Sequence, residues 1–144
     1  MVSRSPGQAL LQQVLGRKIL TQGIARGTTE PLAPSFGVVV GDPLFEATKK
    51  MVPQLTGYKV DYPASFDPGS LNAGRDDVIK HMAEAPKRCP NQKYVMVGYS
   101  QGGDVMHNAL AKIDPALFPR IIALVMFGDP GSFSCFRVFC MAHI

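Results

Sequence analysis

The feature that most constrains this chain is a junction near its middle. A continuous apolar run, Tyr94 to Val97, passes directly into Gly98-Tyr99-Ser100-Gln101-Gly102. Val105, Met106, Ala109, Leu110 and Ile113 then recur at helical spacing, closing before Pro115. A short run without polar alternation reads as a strand buried on both faces. The sequence therefore predicts a strand, a very tight turn and a helix. Gly98 and Gly102 have a physical task at such a turn, because a side chain there would collide with the neighbouring strand or helix. The turn holds the Ser100 hydroxyl at the carboxyl edge of a sheet. The helix behind it aims free N–H groups and its positive dipole end at the same place. Those features suit a nucleophile whose attack builds an oxyanion.

Around that junction, strand and helix patterns alternate, which predicts an α/β fold: a central parallel sheet with helices on both faces. Ile19-Leu20 and Ile24-Ala25 predict a first strand interrupted by Thr21-Gln22-Gly23, and Arg26 to Pro31 a polar turn. Gly41-Asp42-Pro43 predicts a helix start with Asp42 as N-cap and Pro43 at the first helical position. Leu44, Ala47, Thr48 and Met51 continue it. Tyr58 to Tyr62 alternates as a short strand ending at Pro63. After a loop from Ala64, Ser70 is the expected N-cap of a helix running to about Ala85 and ended by Pro86. Its buried side is Leu71, Val78, Ile79 and Met82, its wet side Asp76 and Asp77. Ile121 to Phe127 is a second fully apolar strand, followed by Gly128-Asp129-Pro130. Residues 1–16 are weakly amphipathic and residues 131–144 have no clear period, so 1–144 reads as one domain with atypical ends.

Composition narrows the function classes. The 144 residues are 46% hydrophobic and 18% charged, an ordinary globular balance. No apolar run is long enough to span a bilayer. The net charge of +4 is scattered in short pairs such as Lys49-Lys50 and Lys87-Arg88, not gathered into the basic stripe that nucleic acid requires. The three cysteines and three histidines show no zinc-like spacing, so no metal is implied. The odd cysteine count leaves one thiol over in a disulfide-bonded domain and is equally compatible with reduced thiols. The N-terminus shows no unbroken apolar stretch of the signal-peptide kind.

Several stretches then recur together in one order. They are Ala25-Arg26-Gly27-Thr28-Thr29-Glu30, Val40-Gly41-Asp42-Pro43 with Phe45, Asp61-Tyr62-Pro63-Ala64, Cys89-Pro90 with Lys93, the Ser100 motif with His107-Asn108-Ala109, and Phe127-Gly128-Asp129-Pro130. Over about residues 24–130 the chain resembles the fungal cutinases. The resemblance implies an α/β-hydrolase fold and a secreted serine carboxylic-ester hydrolase, monomeric and without cofactor. Its substrates would be short acyl esters, lipids, cutin-type polyester or related esters such as acetylated xylan. It implies Ser100 as nucleophile, with an oxyanion hole from the Gln101 N–H and the N–H and hydroxyl of Thr28. Thr28 also follows the first candidate strand, at the sheet edge that carries Ser100.

The resemblance weakens toward the ends. In this fold the order is serine, acid, histidine, and cutinases carry the acid between two cysteines. Cys135 and Cys140 enclose Phe136-Arg137-Val138-Phe139, with no carboxylate. No cysteine precedes Cys89 to pair with it. The expectation is therefore a fold truncated at its C-terminus. The remaining acid and base candidates are Asp129, at the end of a strand, and His143, in the tail. His107 lies two helical turns beyond Ser100, roughly 10 Å along the axis, and reads as a packing or surface histidine. His81 reads as solvated. Two other functions stay open: a catalytically incomplete fragment or acyl-binding relative, and an intracellular thioesterase or acyltransferase on the same fold.

Overall fold

The computed structural model describes residues 20–32 and 35–131, and the backbone of 142–143. Strand β1 (Leu20–Ala25) leads to helix α1 (Gly41–Met51), strand β2 (Thr56–Lys59) and the long helix α2 (Pro68–Arg88). Strand β3 (Lys93–Tyr99) and helix α3 (Gln101–Leu110) follow, then a 3-10 turn (Pro115–Arg120), strand β4 (Ile121–Phe127) and the short strand β5 (Ala142–His143). The strands form one parallel sheet in the order β2-β1-β3-β4-β5. Ile24 pairs with Val97 and Val97 with Val125, so the apolar runs lie side by side at the centre.

Side-chain alternation along β3 sorts the two faces. Tyr94 and Met96 point into a core shared with Val78, Met82, Val105, Met106 and Ala109 of α2 and α3. Val95 packs on the other side with Leu20, Val52, Leu55 and Phe45, under α1. Helices therefore cover both faces, as the alternation of patterns predicted. The site follows from this geometry: every parallel strand ends at the same edge, so β1 and β3 deliver their following loops side by side.

Several local expectations are corrected. Thr21-Gln22-Gly23 does not interrupt β1, all six residues of which are buried. Parallel pairing on both sides satisfies its backbone, and that outweighs the weak strand preference of Gln and Gly. Helix α1 starts at Gly41 with Val40 as N-cap. Asp42 turns back instead, accepting hydrogen bonds from Ser35 Oγ at 2.5 Å and Phe36 N at 2.7 Å. Strand β2 ends at Lys59, short of Tyr62. Helix α2 begins at Pro68 with Asp67 as N-cap, and it carries Pro86 inside, running on to Arg88. Helix α3 closes at Leu110, before Ile113. On α2, Val78 and Met82 are fully buried, whereas Leu71 and Ile79 only pack against the core's margin. Asp77 is not simply wet: it accepts hydrogen bonds from the Tyr58 hydroxyl and from Asp61 N, the latter at 2.8 Å.

Candidate active site

Ser100 is the hinge between β3 and α3, with φ 52° and ψ −119°. A non-glycine residue held at positive φ carries about 1–3 kcal/mol of strain. That strain is fixed from both sides. Ser100 N donates to Phe127 O in β4 at 3.0 Å, and Gly103 N donates back to Ser100 O at 2.8 Å. The flanking glycines are required by close approach. A Cβ on Gly102 would come within 2.0 Å of the Ala25 carbonyl oxygen, and one on Gly98 within 2.7 Å of Gly102 O. The Ser100 turn is thus wedged against the end of β1, where the Arg26–Glu30 loop departs.

That loop turns at Thr28-Thr29, as its composition predicted, and Arg26, Gly27 and Glu30 in it are buried and internally bonded. Arg26 is 3% exposed. Its Nε donates to Glu30 O and its Nη2 to Tyr62 O, both at 2.6 Å, and its guanidinium lies over the Tyr62 ring. The Tyr62 hydroxyl donates to Arg26 O. Burial pushes the Tyr62 phenol up to about 12, so it remains a hydrogen-bond donor throughout the neutral range. The Glu30 carboxylate accepts from Gly27 N at 2.7 Å and Val39 N at 2.8 Å. Gly27 closely approaches the Tyr99 ring, where a Cβ would sit 2.6 Å from a ring carbon. Thr28, the next residue, is half-exposed. Thr29 follows at φ 69°.

Gln101 opens α3, so its backbone N–H has no partner within the helix. Its side chain is anchored to a second loop. Nε2 donates to Ser65 O at 2.8 Å, and Oε1 accepts from Ser70 Oγ at 3.0 Å. Ser70 is 1% exposed. Expected as the N-cap of α2, it stands three residues beyond the observed cap Asp67, and its hydroxyl bonds the Gln101 side chain instead. Sequence reasoning missed Ser70, Arg26 and Glu30 as parts of the site. Their bonding partners lie in other segments, and no local periodicity marks them.

Asp129 and His107 are brought together between α3 and the turn after β4. His107 Nε2 lies 2.7 Å from Asp129 Oδ2, and both side chains are buried. Asp129 Oδ1 accepts from Gly131 N at 2.9 Å. The His107–Asp129 contact thus joins α3 to the turn after β4. Burial, and then the nearby Asp129 carboxylate, push the Asp104 carboxyl above its usual value. His81 corrects its expectation. It stacks on Tyr58 with ring centroids 3.5 Å apart, and its Nε2 is buried without a hydrogen-bond partner. The backbone of His143 pairs with Met126 in β4, one residue before Phe127. Cys135 and Cys140 lie outside the described residues, and Cys89, half-buried at the end of α2, forms no disulfide among the described residues.

An open cleft of about 630 Å³ lies beside the Arg26–Glu30 loop, between Arg26, Thr29, Glu30 and the Asp61–Pro63 segment. Among the described residues no group of three or more His, Cys, Asp or Glu side chains is placed to hold a metal. No described helix is long and apolar enough to cross a membrane.

Comparison with known proteins gives a consistent result. The family model described as cutinase matches residues 19–143. A cutinase of Monilinia fructicola is 41% identical over 111 residues, covering 74% of this chain and 54% of that protein. Cutinase cut1 of Trichoderma harzianum is 40% identical over 111 residues, 74% of this chain and 44% of that protein. Among solved structures, a Trichoderma reesei cutinase in complex with a phosphonate inhibitor superposes with a TM-score of 0.67 at 31% identity, covering 87% of this chain and 62% of that one. The chain spans about half the length of the curated relatives it matches.

Proposed function

The chain belongs to the cutinase family, and from that premise we propose that it is a carboxylic ester hydrolase with Ser100 as its nucleophile. The observation that carries this reading is the conformation of Ser100. A positive φ imposed on a serine between a buried strand and a helix N-terminus is a costly arrangement whose use is to present the hydroxyl. The Ser100 oxygen attacks the ester carbonyl carbon as a base removes its proton. The tetrahedral oxyanion is held by the N–H of Gln101 and by the N–H and hydroxyl of Thr28, donors that cost no reorganisation because their loops are already fixed. The intermediate collapses to an acyl-enzyme, and the alcohol leaves with the proton taken from Ser100. Water then releases the acid by the reverse sequence.

The base we assign is His143, the histidine whose backbone stands beside β4 at the carboxyl edge of the sheet, two strands from Ser100. Asp129 is assigned a structural role, because its carboxylate already serves His107 and Gly131. An apolar acyl group is favoured by Phe66, which is 86% exposed and follows Ser65, the residue that holds the Gln101 side chain. Short acyl esters and polyester of the cutin type, met in an extracellular setting, fit that rim.

The test is hydrolysis of a p-nitrophenyl ester, with labelling by a reactive alkylphosphonate as a second readout. Turnover and labelling by the chain, both lost in Ser100→Ala, support the reading, and His143→Ala should then lower turnover by at least about a thousandfold. Equal inertness of chain and Ser100→Ala in both readouts would overturn it in favour of an acyl-binding relative without catalysis.

A further inference from the structure

The two sides of the proposed oxyanion hole come from loops more than seventy residues apart, and one dipeptide touches both. Thr29 N donates to Ala64 O at 2.6 Å. One residue later, Ser65 O accepts from Gln101 Nε2 at 2.8 Å. Ala64 is 1% exposed and held at φ 50°, a left-handed conformation that an alanine adopts only under constraint. The constraint is a closed hydrogen-bonded ring. Ser65 N donates to Ser70 Oγ at 3.0 Å, Ser70 Oγ donates to Gln101 Oε1 at 3.0 Å, and Gln101 Nε2 returns to Ser65 O. Every polar atom of the Gln101 amide is used, so its orientation is unique, and bonds in such a ring strengthen one another.

We propose that Ala64-Ser65, tied down by the buried Ser70 hydroxyl, is a strap that sets the spacing between the Thr28 and Gln101 donors. Ser70 is then a positioning residue for ester hydrolysis, although it touches no substrate. The proposal rests on the oxyanion-hole reading given above. Its physical logic is that donors on separate loops stabilise an oxyanion only if their separation is fixed before the charge develops. Thr29 and Gln101 make no bond to each other in this network. The strained Ala64 and the ring at Ser65 supply the rigid link.

Ser70→Ala opens the ring without adding bulk, and Gln101→Met removes the same amide bonds while keeping the Gln101 backbone N–H. Amide hydrogen exchange of Thr29 gives a readout that does not depend on catalysis. Both variants should accelerate Thr29 exchange while leaving the amides in the middle of α3 unchanged. In the hydrolysis assay both should lower kcat by about tenfold to a hundredfold, with KM within twofold of the parent. The double variant should be no worse than the poorer single, because all of these bonds belong to one network. Unchanged Thr29 exchange in both variants overturns the strap. So does additive loss in the double variant, or a rise in KM at constant kcat. If the parent chain neither hydrolyses the ester nor takes up the phosphonate, the catalytic reading fails, and Thr29 exchange alone decides whether the strap exists.

Discussion

His107 Nε2 and Asp129 Oδ2 lie 2.7 Å apart, tying the helix that Ser100 caps to the turn that follows β4. Ser100 N is bonded to Phe127 O two residues before that turn. The end of β4 is therefore fastened to the Ser100 turn and its helix twice, once through backbone and once through side chains. The Asp129 carboxylate is nearly fully buried, with a side-chain exposure of 2%, so removing either partner strands a buried polar group.

Asp129→Ala is expected to destabilise the fold by about 2–3 kcal/mol, the cost of losing two hydrogen bonds to a buried carboxylate and leaving His107 Nε2 without this acceptor. Urea unfolding followed by circular dichroism measures it. A midpoint unchanged from the parent would contradict the structural role assigned to Asp129.

Gly102→Ala drives a methyl group into the Ala25 carbonyl, 2.0 Å away, and a backbone neighbour cannot rotate aside as a flexible side chain can. Overpacking of this kind costs roughly 1–3 kcal/mol and more where backbone must move. The expected outcome is a lowered Tm and loss of phosphonate labelling at Ser100. The substitution Gly69→Ala, which meets nothing within 4 Å, is the control and should change neither.

Glu30→Gln keeps the shape of the side chain but leaves one acceptor oxygen where two backbone donors, Gly27 N and Val39 N, now bind. One donor then faces an amide NH2 group. The expected loss is about 1–3 kcal/mol. Because Gly27 directly precedes Thr28, kcat for ester hydrolysis should fall further than the stability loss alone requires. Paired measurements of Tm and kcat on the same variant test this.

Burial pushes His81 below the usual histidine value of 6.5, with Asp77 and Glu84 opposing the shift and Arg88 adding to it. In the unfolded chain His81 takes up its proton as pH falls through about 6.5, whereas folded it stays neutral to lower pH. Between the two values the unfolded state binds more protons, so this residue lowers stability as pH drops below about 6.5. His81→Phe keeps the stack on Tyr58 and removes the buried unpaired nitrogen. Relative to the parent it should gain stability on going from pH 7.5 to pH 5. Urea midpoints at the two pH values decide the matter, and a parallel decline of both proteins would contradict it.

What the sequence determined by itself is local and strongly patterned. Tyr94–Val97 and Ile121–Phe127 lie in the strands they predicted, and the Gly-Tyr-Ser-Gln-Gly turn sits at the strand–helix junction its neighbours required. Two facing apolar runs and two glycines that admit no side chain leave little else possible. The tertiary structure decided which polar residues are interior. Gln22, Arg26, Glu30, Ser70 and His107 are all buried, and nothing in their immediate neighbours says so. Arg26, Glu30, Ser70 and His107 leave water where a hydrogen-bond partner meets each side chain. Those partners lie up to 36 residues away, as for Arg26 with Tyr62, or 31, as for Ser70 with Gln101. The same reason moved the helix starts: Asp42 and Ser70 have the chemistry of N-caps, but tertiary acceptors and donors claimed their side chains. A strand or a turn is written in adjacent residues, whereas a hydrogen-bonded site between loops exists only once the sheet has brought those loops together.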